Sequence, residues 1–451
     1  MEGFLDGSQR IADFIIRASW NQIPKEVQRV ARMALLDILG AALVGTLAPV
    51  SRIAADYAGV CWPGDAATIF LHGRRSSPVG ATFANAYAAN GIDIDDCAIY
   101  TKGHPGAQIV PAALALSEAL GLSGTRLLTA IVVGYEVAHR AARIWHASRD
   151  VYQACGSWGS VACAAVASHL LDLDQRQTRH ALGIAEYHAP NLPMMRDIDH
   201  PAMVKHGVGW GAMNGIISAQ LAQRGFTGIP SLFDLETYRD WIADIGDHYI
   251  MADGLAWKRY ACCAWDHAII IAAHQLMSKH AFHAGDVEHI HVETFHEALR
   301  LGTALPTTTE EAQFNLAWPL AAYVVDGEVG PDQMLPPALD RRDIRDLARR
   351  ISVVESEELT RLYRLACQGD PAGKYVSRVT VRLYDGRTLK SDLVEGDINY
   401  PQALWDLKSL ERKFRWLTTK VLETERSEQV LDQIRGIEQL SDVRYLTEML
   451  S

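Results

Sequence analysis

The sequence predicts a mainly α protein with a smaller mixed α+β portion, and three observations carry that prediction. Alanine-rich helical periodicity runs from residue 8 to about 265. Strand-like alternation is confined to the stretch after about 267. From Leu404 to the end the pattern returns to charged amphipathic helix, expected to pack back on the first part.

Taken in order, residues 27–44 place apolar side chains at helical spacing and break at Gly45 and Pro49. Further helices are expected over 81–89, 109–120, 124–145, 158–171, 175–187 and 212–224. Ala162, Ala164, Ala165 and Ala167 fill one of them, and alanine both favours helix and lets neighbours approach closely. Ile290, Val292 and Thr294 alternate as a strand does. Residues 376–393 hold two alternating runs joined through Asp385-Gly386, a hairpin signal. Between them, 309–326 and 337–351 read as helix. The expected division is 1–266 plus 396–451 as an all-helical domain and 267–395 as an α+β domain.

A chain of 451 residues exceeds what one core usually fills. Its 43 basic and 54 acidic residues give a formal charge of -11, which disfavours nonspecific nucleic-acid binding. Seven scattered cysteines without a C-x-x-C pair support neither a disulfide framework nor a zinc ribbon. Residues 1–10 lack the apolar stretch of a secretory signal, and no apolar run reaches the ~18 residues of a membrane span. A cytoplasmic protein binding neither nucleic acid nor membrane is expected.

The densest chemistry lies in N-G-I-D-I-D-D-C-A-I-Y-T-K-G-H-P-G at 90–106. Asp93, Asp95, Asp96, Lys102 and His104 crowd a loop just before a helix, a common way to present acid/base groups. His104, between Gly103 and Pro105, is the best base candidate, bracing of a loop being the alternative. Capping and turn formation compete as roles for the aspartates. Lys205 precedes the glycine-rich start of a helix, a plausible anion seat although no P-loop is present. Lys258, Arg259, Tyr260 and His267 lie where the helical part gives way to the mixed part, either a small-molecule site or a basic surface loop. The histidines His139, His146, His180, His188, His200 and His206 show no recognised ligand spacing, so no metal is expected.

Beyond these features, the sequence resembles the MmgE/PrpD family, which includes 2-methylcitrate dehydratase, cis-aconitate decarboxylase and iminodisuccinate epimerase. The resemblance runs over nearly the whole chain. It rests on L-D-I-L-G-A-A-L-V-G (36–45), N-G-I-D-I-D-D (90–96), G-H-P-G-A-Q-I-V-P-A (103–112) and L-L-D-L-D-Q-R-Q-T-R-H-A-L-G-I-A (170–185). Q-R-G-F-T-G (223–228), T-E-E-A-Q-F-N (309–315) and L-E-R-K-F (410–414) complete it. The resemblance implies a large all-helical domain built from both chain ends, an inserted α+β lid domain, a homodimer, and no metal or organic cofactor. It places Asp93, His104, Lys205, Lys258 and His267 in a cleft acting on di- or tricarboxylates. Three positions depart from the family pattern: Gln153 stands for a histidine, Trp318 for a tyrosine and Cys97 for a threonine or serine.

The expected activity is a cofactor-independent lyase or isomerase that abstracts a proton next to a carboxylate, as a dehydratase with an altered substrate, an epimerase or a decarboxylase. His104 would move the proton, Asp93 orient it, Lys205 and Lys258 offset developing charge, and His267 serve as second acid/base or as a hydrogen-bond donor to the substrate. Lys258, Tyr260, Gln153, Asp96, Lys102 and Trp318 would hold the substrate. A carboxylate-binding or scaffolding dimer that kept the fold without the chemistry is the rival.

Overall fold

The computed structural model describes residues 6–368, 370–396 and 405–451. Small and apolar residues at helical spacing form the helices Lys25–Gly45, Pro78–Ala89, Gly106–Leu120, Gly124–Ala147, Gly156–Leu170, Gln175–Tyr187 and Val208–Gln223. Their starts follow from the sequence. The Ser77 and Ser123 hydroxyls each accept an N–H from the first turn that follows, and Asp174 with Gln177 makes a capping box. Ala162, Ala164, Ala165 and Ala167 are all fully buried, so these helices pack closely. Pro49, expected only as a break, opens the further helix Pro49–Cys61, because proline fits the first helical turn.

The mixed portion carries a five-stranded sheet. Val287–Thr294 is its centre, parallel to Ile351–Glu355 and antiparallel to Val376–Leu383. Val376–Leu383 turns at Asp385-Gly386, where Gly386 has φ 90°, and pairs with Thr388–Lys390 and Val394–Glu395. Two of the expected helices are corrected. Residues 309–326 split into Thr309–Gln313 and Ala317–Asp326, because the Asn315 side chain accepts the N–H groups of Ala317 and Trp318 and starts a new helix. Residues 337–351 hold a 3-10 turn, Ala338–Asp340, and the short helix Arg342–Ala348, and the β-branched run at Ile351–Glu355 joins the sheet. The helices His267–His280 and Glu357–Cys367 pack on the sheet. The protein is mainly α. Among the described residues no single helix is long and apolar enough to cross a membrane.

The return to helix expected at Leu404 begins outside the described residues, and the helix Leu407–Thr418 is seen against Lys25–Gly45. Between these two helices Lys413 donates to Asp37 Oδ1 at 2.6 Å and to the Ile94 carbonyl at 2.8 Å. The C-terminal helix thus fastens the 90–96 loop to the core. Burial pushes Asp37 up and Lys413 opposes it. Lys413→Ala leaves that carboxylate buried without its cation and is expected to cost about 3–5 kcal/mol in urea unfolding. Asp37→Leu combined with Lys413→Met should recover most of the loss.

Candidate active site

The site is assembled from a loop, two very short strands and one strained turn. The helix Pro78–Ala89 ends at Asn90, whose side-chain amide donates to Asp95 Oδ1 at 2.8 Å. Asp93 and Lys102 take left-handed backbone conformations, φ 53° and 52°, which fold the loop back on itself. Cys97–Ala98 then pairs antiparallel with Leu255–Ala256 in the register Cys97↔Ala256. That pairing carries Lys258 to Asp93, 3.0 Å from Oδ2.

One helix, Gly124–Ala147, holds both strands in place. Tyr135 donates to Asp96 Oδ2 at 2.6 Å, immediately before Cys97. Its neighbour Glu136 accepts the N–H groups of Ile250 and Met251 at 3.1 and 2.9 Å, just ahead of Leu255. Asp96 Oδ1 accepts the Gly106 N–H at 3.0 Å. A Cβ at Gly106 would lie 2.4 Å from the Tyr135 hydroxyl, so only glycine permits this approach. Burial pushes Asp96 up to about 7 against these donors. With both oxygens engaged, Asp96 anchors the loop rather than facing a substrate.

His104 sits between carboxylates. Its Nε2 lies 3.2 Å from Asp93 Oδ1, and its Nδ1 lies 3.1 Å from Asp95 Oδ2 and 3.0 Å from the Asp96 carbonyl. Burial alone would push the imidazole down, but Cys97, Asp95 and Asp93 raise it well above the ordinary histidine value. Burial pushes Asp93 up, yet Lys258, His104 and Lys205 hold it well below the usual carboxylate range. These partners favour the imidazolium form of His104.

Opposite it, Lys205, His206 and Gly207 have φ of 42°, 57° and 71°, a left-handed run that only its glycine adopts freely. This turn aims two side chains. The Lys205 ammonium donates to Gln313 Oε1 at 2.7 Å and lies over the Phe314 ring. Gln313 is held in turn by the Gly91 carbonyl and the Thr309 hydroxyl. His206 Nδ1 is 2.6 Å from Asp197 Oδ2, an oxygen that also accepts the His206 backbone N–H. The His206 ring lies parallel to His104, 8° between planes and 5.6 Å between centroids. Among the described residues His206 Nε2 has no hydrogen-bond partner.

These groups border a cavity of about 690 Å³, its open mouth included. Lys102, His104 and His206 lie on its wall with Tyr152, Trp265 and Tyr363. Asp93, Lys205 and Lys258 stand behind that wall, fully buried. Four expected site residues lie elsewhere. Gln153 is buried beside Pro193 rather than on the wall. Tyr260 and His267 pack edge to face, His267 opening the helix His267–His280. Trp318 is fully buried on the helix Ala317–Asp326, and its indole N–H donates to the Gln333 carbonyl, which leaves it no hydrogen for a ligand. Sequence reading missed the roles of Asp95, Asp197, His206 and Gln313. The position of His206 beside Lys205 was the one signal available.

Asp93, His104 and His206 also bring one potential ligand atom each within 4.8 Å of one another, close enough to hold a metal ion. The geometry opposes a dication there, because the Lys258 ammonium already lies 3.0 Å from Asp93 and a protonated His104 offers no lone pair.

A cis-aconitate decarboxylase-like protein (oryM) of Aspergillus oryzae is 26% identical, over 98% of this chain and 96% of its own length. Human cis-aconitate decarboxylase is 27% identical over 94% of this chain and 90% of its own length, and that of Aspergillus terreus 24% over 96% and 93%. Residues 9–241 match the MmgE/PrpD N-terminal domain and residues 260–438 the MmgE/PrpD C-terminal domain, and the chain belongs to the MmgE/PrpD family.

Proposed function

We propose that this protein is a lyase of a carboxylate acid that works by proton transfer next to the carboxylate. The observation that carries the reading is the parallel pair His104 and His206, one enclosed by carboxylates and the other presenting an open Nε2. A ring enclosed by carboxylates suits an acid, and a ring with an open nitrogen facing the cavity suits a base. The acid is His104, which reverses the base role expected for it. The base is His206, oriented through Nδ1 by Asp197.

Lys205 supplies the carboxylate seat. Its ammonium is buried and hydrogen-bonds a neutral amide, with Asp93 and Asp197 only in its wider field, so a substrate carboxylate would be its direct anionic partner. Lys258, already paired with Asp93, steadies the acid rather than the substrate. In an elimination, His206 Nε2 takes the proton from the carbon next to the carboxylate. The C–H electrons first delocalise onto the carboxylate and then form the new C=C bond as the C–O bond breaks and the β-hydroxyl leaves with the proton of His104, giving water. His206 ends protonated and His104 neutral, and exchange with solvent resets both. Lys205 offsets the charge that gathers on the carboxylate during the step.

Decarboxylation is the second reading, favoured by the decarboxylase relatives. There His104 protonates carbon and no base is required.

Proton NMR in deuterated water separates the two. With a panel of β-hydroxy and unsaturated di- and tricarboxylates, elimination predicts solvent deuterium next to the carboxylate. His206→Asn should lower that exchange about 10²–10⁴-fold. His104→Gln should keep the exchange and lose the product. Full turnover in His206→Asn, with loss in His104→Gln, would support decarboxylation. Full activity in both would overturn the assignment.

The state of His104 is testable without a substrate. In NMR of ring-labelled histidine, assigned through His104→Gln, the ring should stay protonated well past pH 6.5. Asp95→Asn should bring its titration back toward the ordinary value. Because the folded value is raised, the stability that His104 contributes is complete below about pH 6.5 and is lost as pH rises through the folded value. Titration of the wild-type ring near 6.5 would remove the acid role.

A further inference from the structure

We propose that the substrate is a mono- or dicarboxylate carrying a flat, apolar body, aromatic or conjugated, rather than a small tricarboxylate. The proposal rests on the acid–base reading above and specifies what that site takes.

The argument starts from cations. A small tricarboxylate brings three negative charges into a site that already holds Asp93 and Asp95, both fully buried. Lys258 is paired with Asp93 at 3.0 Å and His104 is enclosed by Asp93 and Asp95, which leaves Lys102 on the wall and the buried Lys205 behind it as the cations for a substrate. Among the described residues no arginine lines the cavity. Two cations match one or two carboxylates. A third would be desolvated against aromatic rings, which is strongly unfavourable for an unpaired charge.

The rest of the wall shows what replaces that third charge. Phe314, Tyr363 and Tyr375 line the cavity from the mixed portion of the chain, and Met194, Ile198 and Trp265 line it from elsewhere. The aromatic members form a fixed cluster. Tyr363 stacks on Phe295 with centroids 4.2 Å apart and planes 6° apart. Trp265 meets Tyr363 edge to face at 6.0 Å, and Tyr375 does so at 5.2 Å. Rings locked by one another lose little further freedom when a ligand enters, so they favour a rigid flat partner. Phe314 links this wall to the chemistry, since it also meets the His206 ring at 5.1 Å and underlies the Lys205 ammonium. A carboxylate on Lys205 therefore leaves the adjoining carbons against His206 and the remainder of the molecule against rings.

The test is a binding competition on the full chain by calorimetry with succinate, phenylsuccinate and tricarballylate. These are a small dicarboxylate, the same dicarboxylate with a flat apolar body, and a small tricarboxylate. Phenylsuccinate is expected to bind at least about tenfold more tightly than either of the others, the gain for burying one ring. Tyr363→Ala should remove most of that advantage and leave succinate unchanged. Trp265→Leu is the second variant should Tyr363→Ala fail to fold. Equal affinities, or a preference for tricarballylate, overturn the proposal. The acid–base reading fails separately: a phenylsuccinate preference that persists while no flat acid exchanges deuterium would sink the chemistry and keep the pocket assignment. Deuterium exchange confined to small tricarboxylates would do the reverse.

Discussion

Asp93 serves two cations at once, with His104 on one oxygen and Lys258 on the other, and all three side chains are removed from solvent. A buried carboxylate in that position is tolerable only while both partners stay. It therefore favours the charged form of both partners, the Lys258 ammonium and the His104 imidazolium. The left-handed φ of Asp93 is the local cost of pointing the carboxylate between them. The rest of the chemistry must come from groups outside this triad.

The two lysines illustrate the division. Lys258 has a direct carboxylate partner, whereas Lys205 is hydrogen-bonded to an amide and lies over an aromatic face, with Asp93 and Asp197 only in its wider field. The strained turn that aims Lys205 aims His206 as well, so the anion seat and the open imidazole nitrogen are fixed by the same few dihedral angles. A carboxylate held there has its neighbouring carbon delivered without further adjustment.

Much of this was legible in the sequence, and the misses have physical reasons. The long helices are marked by alanine, by apolar spacing and by serine or aspartate at their starts, and they were found within a few residues. The helix Pro49–Cys61 was missed because its proline signals a break and a start equally well. The strand Ile351–Glu355 was missed, its first residue being read as the end of a helix, because a short apolar run has no period of its own. At the site, the loop with Asp93 and His104 was conspicuous. Its meeting with Lys258 depends on the two-residue strands Cys97–Ala98 and Leu255–Ala256, too short to leave a pattern. His206 was passed over because its significance lies in Asp197 and in a parallel ring, relations that exist only in three dimensions. Trp318 was expected at the ligand from its motif, but its indole belongs to the core.

Tyr135 and Glu136 are neighbours on one helix, yet one holds the loop that carries Asp93 and the other the segment that leads to Lys258. Opposing walls of the triad are thus clamped to the same turn of a single buried rod. Thermal motion of that rod carries both walls together and preserves the spacing between them. The site is consequently insensitive to drift of the whole helix and vulnerable to a twist within one turn, so damage there would disconnect aspartate and lysine in the same event instead of weakening them by degrees.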